Sequence, residues 1–279
     1  MAITVNAPHT QCSALMTGSD PSADRQARIA RAFSRAAPRY DALAGAQQHI
    51  GRRLWESLPL SAHSIVDVGC GTGYWTQRLA ERYADAAVIG IDIAQGMLAQ
   101  AKQRSSRIDW RQGDAVALPV ERASVELIFS NLAVQWCSDV GAVMSEFARV
   151  LVPGGRVVLT TLLPGTLNEV AFAWQRPDAF LDYLSGESYY QIATAAGLRP
   201  VRTDEYSERF FYPDMSAVMA SIKGVGAQVA RPGATLTRRD LAAARTRFET
   251  LRAPQGLPVS YRCLALVLVA DSTSSSAFE

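Results

Sequence analysis

The segment Asp67-Val68-Gly69-Cys70-Gly71-Thr72-Gly73, which ends the apolar run begun at Ser64-Ile65-Val66, constrains this chain more than any other stretch. A short apolar run that stops at glycines reads as a strand buried on both faces, as in a parallel sheet. Three alternating glycines at its carboxyl end allow positive φ and bring bare backbone close to a ligand, at the crevice where open α/β sheets bind one. A tight strand-to-helix turn needs the same residues, so the flanking elements decide between the two readings.

Those elements alternate. A helix should follow the glycines through Tyr83, then a strand over Ala87-Val88-Ile89-Gly90-Ile91-Asp92, a helix from about Gln95, and a third strand around Arg107-Ile108-Asp109-Trp110-Arg111. Val125 to Phe129 reads as a fourth strand, Ser138 to Val150 as a helix, and Gly155 to Thr161 as a fifth strand behind the turn Pro153-Gly154-Gly155. Such winding predicts a parallel sheet. Pro200 to Tyr212 and Val259 to Ala270 supply two more strands, between helical stretches rich in aromatics. The expected architecture is α/β: a doubly wound, mostly parallel seven-stranded sheet over residues 61–270, with helical cap elements at about 165–198 and 214–251.

Upstream, Ile29, Phe33, Ala36, Tyr40, Leu43, Ala46 and Ile50 recur every three or four positions, which predicts a helical arm over 25–60, split or bent at Pro38. Arg25, Arg28, Arg31, Arg35 and Arg39 form a basic stripe on it, read as a solvated face. Residues 1–24 and 271–279 read as disordered tails.

With 279 residues, 48% of them hydrophobic, the chain can bury a large core in one domain. A net charge of +2 gives no reason to expect nucleic acid. No uncharged apolar stretch reaches the roughly 18 residues of a membrane span, so a soluble, cytoplasmic protein is expected. Cys12, Cys70, Cys137 and Cys263 lack the paired spacing of a zinc or redox site, and His9, His49 and His63 are scattered, so no metal is expected.

Asp92 ends the second strand, where a carboxylate can accept hydrogen bonds from both hydroxyls of a ribose. A nicotinamide-dinucleotide fold places an acid there too, but its fingerprint is G-x-G-x-x-G; G-x-G-x-G favours S-adenosylmethionine. Asp114, in Gly113-Asp114-Ala115, can accept from an adenine amino group, and Met97 can pack on the adenine face. Singly, Asp114 is as good a turn cap and Met97 as good a core residue; their order along the chain gives them weight.

Taken together, D-V-G-C-G-T-G, G-I-D-I, G-D-A and P-G-G resemble the Rossmann-like class I methyltransferase family over about Ser64 to Thr161. The resemblance implies that Gly69, Gly71 and Gly73 line the methionine moiety, Asp92 the ribose, and Asp114 with Ala115 the adenine. Asp67, Cys70, Ile93, Met97, Asn131 and Leu132, with Tyr40 and Gln47 of the arm, complete the implied cofactor set. Beyond that core, Ser130-Asn131-Leu132-Ala133-Val134-Gln135-Trp136-Cys137 is similar to the malonyl-acyl-carrier-protein O-methyltransferases of biotin synthesis. So are Phe33-Ser34-Arg35-Ala36-Ala37 and Ile222-Lys223-Gly224-Val225-Gly226-Ala227. Ser34 departs from that family's usual glycine, and 168–186 is only loosely similar.

The resemblance implies methyl transfer from S-adenosylmethionine, leaving S-adenosylhomocysteine, to the free carboxylate of a malonyl thioester on acyl carrier protein, with malonyl-coenzyme A as the other carrier. A carboxylate is ionised at neutral pH, so no general base is needed; alignment and water exclusion carry the reaction. Lys223, among apolar neighbours, is the expected cation for that carboxylate. Tyr40, Gln47, Gln135 and Trp136 are expected to supply donors and aromatic walls, and Arg231, Arg238 and Arg239 to meet the acidic carrier protein. Two other readings stay open: a small-molecule O- or C-methyltransferase, which usually needs a base, and a non-catalytic S-adenosylmethionine-binding module.

Overall fold

The computed structural model describes residues 21–175, 181–224 and 237–271. Most of both expected tails, together with cap residues 176–180 and 225–236 and therefore Arg231, lies outside the described residues.

Strands β1 (Ser64–Val68), β2 (Ala87–Asp92), β3 (Asp109–Gln112), β4 (Val125–Asn131), β5 (Leu151–Leu162), β6 (Leu198–Tyr212) and β7 (Leu257–Ala270) form one sheet in the order β3-β2-β1-β4-β5-β7-β6. Only β7 is antiparallel to its neighbours, β5 and β6. The order reverses between β1 and β4, and this switch point leaves a crevice at their carboxyl ends.

Helices α1 (Pro21–Ala36), α2 (Tyr40–Leu43) and α3 (Gly45–Trp55) make the arm; α4 (Tyr74–Arg82), α5 (Gln95–Ala101), α6 (Val140–Val150), α7 (Asn168–Trp174), α8 (Gly186–Ala195), α9 (Met215–Lys223) and α10 (Arg238–Glu249) follow. Alternate residues of the central strands feed opposite cores. Val66 and Ile128 pack with Phe147 of α6 and Tyr189 of α8, whereas Ile65, Leu127 and Phe129 pack with Leu54 of α3 and Trp75 and Leu79 of α4. Burial on both faces explains why β1 and β4 read as continuous apolar runs, while β6, at the sheet edge, alternates.

The structure adjusts several expected boundaries. Pro38 sits in a short 3-10 turn, Ala37–Arg39, which divides the arm. The arm begins at Pro21, inside the expected tail, because a proline's fixed φ suits a first helical turn. β3 lies one to two residues later than expected; Arg107 N donates to Ser105 Oγ in the turn before it. Asp139 caps α6 by accepting from Ala142 N at 2.8 Å, worth about 1 kcal/mol, so the helix starts after it rather than at Ser138. Pro153-Gly154-Gly155 is an irregularity inside β5: Val125 pairs with Leu151, but Leu127 pairs with Arg156.

Of the expected cap, α8 packs on the sheet itself. Helices α7, α9 and α10 instead cover Leu257, Val259, Tyr261 and Cys263 of β7, together with Ala46 and Ile50 of the arm. At the end of α9, Gly224 fits against Leu43 of α2; a Cβ there would lie 2.1 Å from Leu43 Cδ1. Among the described residues no helix is long and apolar enough to cross a membrane.

Candidate active site

A cleft with about 820 Å³ of empty space, its open mouth included, occupies the crevice at the switch point. Its floor is the glycine loop. Gly69 N and Cys70 N both donate to Ile91 O, at 2.8 and 3.0 Å, tying the loop to β2. Gly69 has φ 73°, and a Cβ on it would stand 2.3 Å from Ala133 Cβ, so only glycine lets the loop lie against the segment after β4. Gly71, at φ 56°, has nothing within 4 Å of where its Cβ would be: its bare face opens on the cleft.

Asp92 holds the side wall. Its Oδ2 accepts from Gly71 N at 2.9 Å and its Oδ1 from Ala94 N at 2.7 Å, which fixes the carboxylate and leaves lone pairs for a diol. Burial raises its carboxyl to about 6, against the lowering effect of those backbone donors. Asp114, Ala115, Ile93 and the fully buried Met97 also line the cleft. Tyr40, Asn131, Leu132 and Trp136 line it too, with Tyr40 packed against Ala94 and Met97. Burial, then the charges of Asp92 and Asp41, push the Tyr40 hydroxyl well above the usual phenol range, so it stays protonated as a donor. These walls fit an adenosyl ligand: a bare backbone face, a fixed carboxylate for a ribose and an apolar slot for a flat base.

Leu132 stands at φ 53°, a left-handed conformation costing about 1–3 kcal/mol in a residue with a side chain. Gln135 holds it there: Nε2 donates to Leu132 O at 2.8 Å, and Oε1 accepts from Thr161 Oγ1 at 3.3 Å. Gln135 therefore spends one of its two amide hydrogens on shaping the wall and stands behind the cleft lining rather than in it. Asn131 is likewise engaged, its Oδ1 accepting from Thr160 Oγ1 and its Nδ2 donating to Gln47 O. Gln47 lies behind Asn131, and its buried Oε1 has no partner among the described residues.

Three other expected cofactor residues stand behind the cleft surface. Asp67 is buried, accepts from Thr76 Oγ1 at 2.6 Å and fastens the start of α4 to β1; burial raises its carboxyl to about 7. The Cys70 side chain turns into the core, where burial pushes its thiol up, leaving only its backbone to the loop. Gly73 makes room for Trp110, whose Cη2 lies 2.5 Å from the missing Cβ. Lys223 departs furthest from expectation. Ile222 faces the core, but Lys223, one position on, is exposed at the last turn of α9 and does not line the cleft.

Sequence reasoning missed the roof. Gln26, Ile29 and Phe33 of α1 close the cleft from above, with Phe33 edge-on to Trp136 at 5.3 Å between ring centroids. The signal was present, because Ile29 and Phe33 belong to the arm's apolar stripe, but periodicity alone does not say what a stripe covers. Among the described residues no three His, Cys, Asp or Glu side chains gather as a metal site.

Comparison with known proteins agrees with this geometry. A family model described as a methyltransferase domain matches residues 66–159. A chain from the complex between the Haloferax volcanii Trm112 methyltransferase activator and the putative methyltransferase superposes with a TM-score of 0.59 at 21% identity, covering 87% of this chain and 97% of that one; this shows the shared fold. The biotin biosynthesis bifunctional protein BioHC of Cellvibrio japonicus (strain Ueda107) is 41% identical over 250 residues, which are 86% of this chain but only 49% of that longer protein. The malonyl-[acyl-carrier protein] O-methyltransferase of Yersinia pestis is 39% identical over 254 residues, covering 89% of this chain and 92% of that protein. A match of that extent and identity settles kinship: the chain belongs to the malonyl-[acyl-carrier protein] O-methyltransferase family.

Proposed function

We propose that this chain methylates the free carboxylate of a malonyl thioester, carried on acyl carrier protein, with S-adenosylmethionine as donor, in the cytoplasm and at the start of biotin synthesis. The observation that carries the reading is that, among the described residues, no histidine, thiolate or phenolate stands in the cleft as a base. His49 faces Glu208 and His63 faces Glu126, neither lines the cleft, and His9 lies outside the described residues. Tyr40 stays protonated, and burial pushes the Cys137 thiol up to about 12. With Asp92 and Asp114 turned to the cofactor, a phenol would arrive protonated and meet no other base among the described residues, whereas a carboxylate arrives ionised.

S-adenosylmethionine supplies a methyl group on a sulfonium, open to direct displacement. The residues of the chain supply the setting. Asp92 and the open face of Gly71 hold the donor, and Met97 and Ala115 flank its base. Phe33, Ile29 and Trp136 keep water out, and that matters because an anion and a sulfonium combine into neutral products, so a dry site favours the transition state over the separated charges. Tyr40 gives the carboxylate a neutral donor, which orients one oxygen without quenching the other. Lys223, outside the cleft beside the junction of α9 and the arm, attracts the anionic substrate at the rim rather than neutralising it at the methyl.

Arg238 and Arg239 are exposed in the first turn of α10, where the helix dipole disfavours cations, so helix stability does not account for them. They suit an acidic carrier protein. The test incubates the chain with methyl-labelled S-adenosylmethionine and malonyl, succinyl and acetyl carrier-protein thioesters. Label should enter the malonyl ester and not the acetyl thioester, which has no carboxylate. Arg238→Glu with Arg239→Glu should raise the carrier-protein KM about tenfold and leave cofactor affinity unchanged. Turnover of a phenol, with none of the malonyl thioester, would overturn the reading.

A further inference from the structure

Among the described residues, Arg53–Asp204 and His49–Glu208 tie the far end of the arm to β6, and three further contacts fasten the arm beside the cleft. Gly96 N, at the start of α5, donates to Ser34 Oγ of α1 at 3.1 Å, and the Gly96 backbone is so close that a Cβ would stand 2.6 Å from Ser34 O. Asn131 Nδ2 donates to the carbonyl of Gln47 on α3 at 3.1 Å. Both are neutral and set among packed side chains. The third is charged. Asp41 of α2 accepts from the buried Thr72 hydroxyl at 2.5 Å through one oxygen and pairs with Arg104 through the other, while Arg104 Nε donates to Thr72 O at 2.6 Å.

That triangle joins the arm, the glycine loop and the turn after α5. Thr72 lies between Gly71 and Gly73, and Asp41 directly follows Tyr40, so the contact ties the loop to the arm where both reach the cleft. Asp41 does not line the cleft and acts through these neighbours. Its side chain is 45% exposed and that of Arg104 23%, so water can replace this contact at less cost than the two packed ones.

We infer that Asp41 is a positioning residue that latches the arm shut over the cofactor, and that its contact with Arg104 and Thr72 is the one that yields when the demethylated product leaves. The inference rests on the reading that the cleft holds S-adenosylmethionine and its product. Gln26, Ile29, Phe33 and Tyr40 all line the cleft, so the arm narrows the path by which a bound nucleoside leaves.

The test is stopped-flow displacement of S-adenosylhomocysteine from the full chain, read by tryptophan fluorescence, for the parent, Asp41→Asn and Asp41→Ala. Release should quicken about tenfold in Asp41→Ala and less in Asp41→Asn, which keeps an acceptor for Thr72. The malonyl-thioester KM should stay within about twofold, a split that general loosening of the fold does not produce. Added salt should speed release from the parent and leave the alanine variant unmoved. Release at the parent rate in a folded variant overturns the latch. If Asp41→Ala does not fold, Asp41→Asn and the salt series decide in the same way. A parent that binds no S-adenosylhomocysteine overturns the cofactor reading itself, and the latch with it.

Discussion

A Gly71→Ala chain folds with a melting temperature within a few degrees of the parent, yet binds S-adenosylmethionine at least about 100-fold more weakly. The two halves of that result have separate causes. Alanine at φ 56° costs about 1–2 kcal/mol, which for a domain of this size is about 2–8 °C. No protein atom lies within 4 Å of the added methyl, so nothing else in the fold is disturbed. The methyl instead occupies the space where the ligand runs along the loop, and an overlap costing about 3 kcal/mol is two orders of magnitude in affinity. Gly69→Ala is the contrast: its Cβ would meet Ala133 Cβ at 2.3 Å, so stability and binding fall together. Differential scanning fluorimetry beside isothermal titration separates the two. Equal affinities of Gly71→Ala and the parent would mean that the ligand does not approach this backbone.

Asp92→Asn should cost more, about 100- to 1000-fold in affinity. Two ribose hydroxyls lose a charged acceptor, and hydrogen bonds to charged groups are worth about 1.5–3 kcal/mol each. Asparagine also cannot repeat the parent geometry: both carboxylate oxygens face backbone N–H groups, of Gly71 and Ala94, so one of these donors would meet an NH₂. The pH dependence adds an independent signature. Burial holds the free Asp92 carboxyl at about 6, and hydroxyl donors together with a nearby sulfonium lower it on binding. Affinity is therefore full above about pH 7 and falls as pH drops through 6, because the protonated acid must lose its proton to accept both bonds. Titrations between pH 5 and 8 should show this fall in the parent and a flat, weak profile in the variant. A parent profile that is flat across that range would remove Asp92 from the ribose site.

How much of this was legible in the sequence depended on whether a residue's role was local. The strands that bury both faces announce themselves as apolar runs, and the glycines and Asp92 are set by the strands they end, so their places followed directly from the order of the motifs. β3 is short and half-exposed, and its apolar signal, Ile108 and Trp110, straddles the true boundary. Roles fixed by distant partners were not legible. Gln135 reads as a free donor until Thr161 and the Leu132 carbonyl are seen beside it. Lys223 lies among apolar neighbours in the sequence, yet at helical spacing adjacent residues point about 100° apart, and Ile222 takes the inward position. Gly73 reads as a ligand contact, but its missing side chain makes room for Trp110, far along the chain. The roof was hidden for a related reason: an amphipathic stripe specifies that α1 must cover something, and only the fold specifies a cleft.

The methyl acceptor arrives already ionised in a cleft that, among the described residues, offers it no base beyond the carboxylates held by the cofactor. The rate of methyl transfer from S-adenosylmethionine to malonyl-acyl carrier protein, followed from pH 7 to pH 9, tests it most directly. The rate should stay within about twofold across that interval, since the malonyl carboxylate and Asp92 are charged throughout and Asp67, which titrates near 7, stands behind the cleft. A rate that climbs about tenfold per pH unit would contradict it, because some group on the enzyme or the acceptor would then have to lose a proton before the methyl could move.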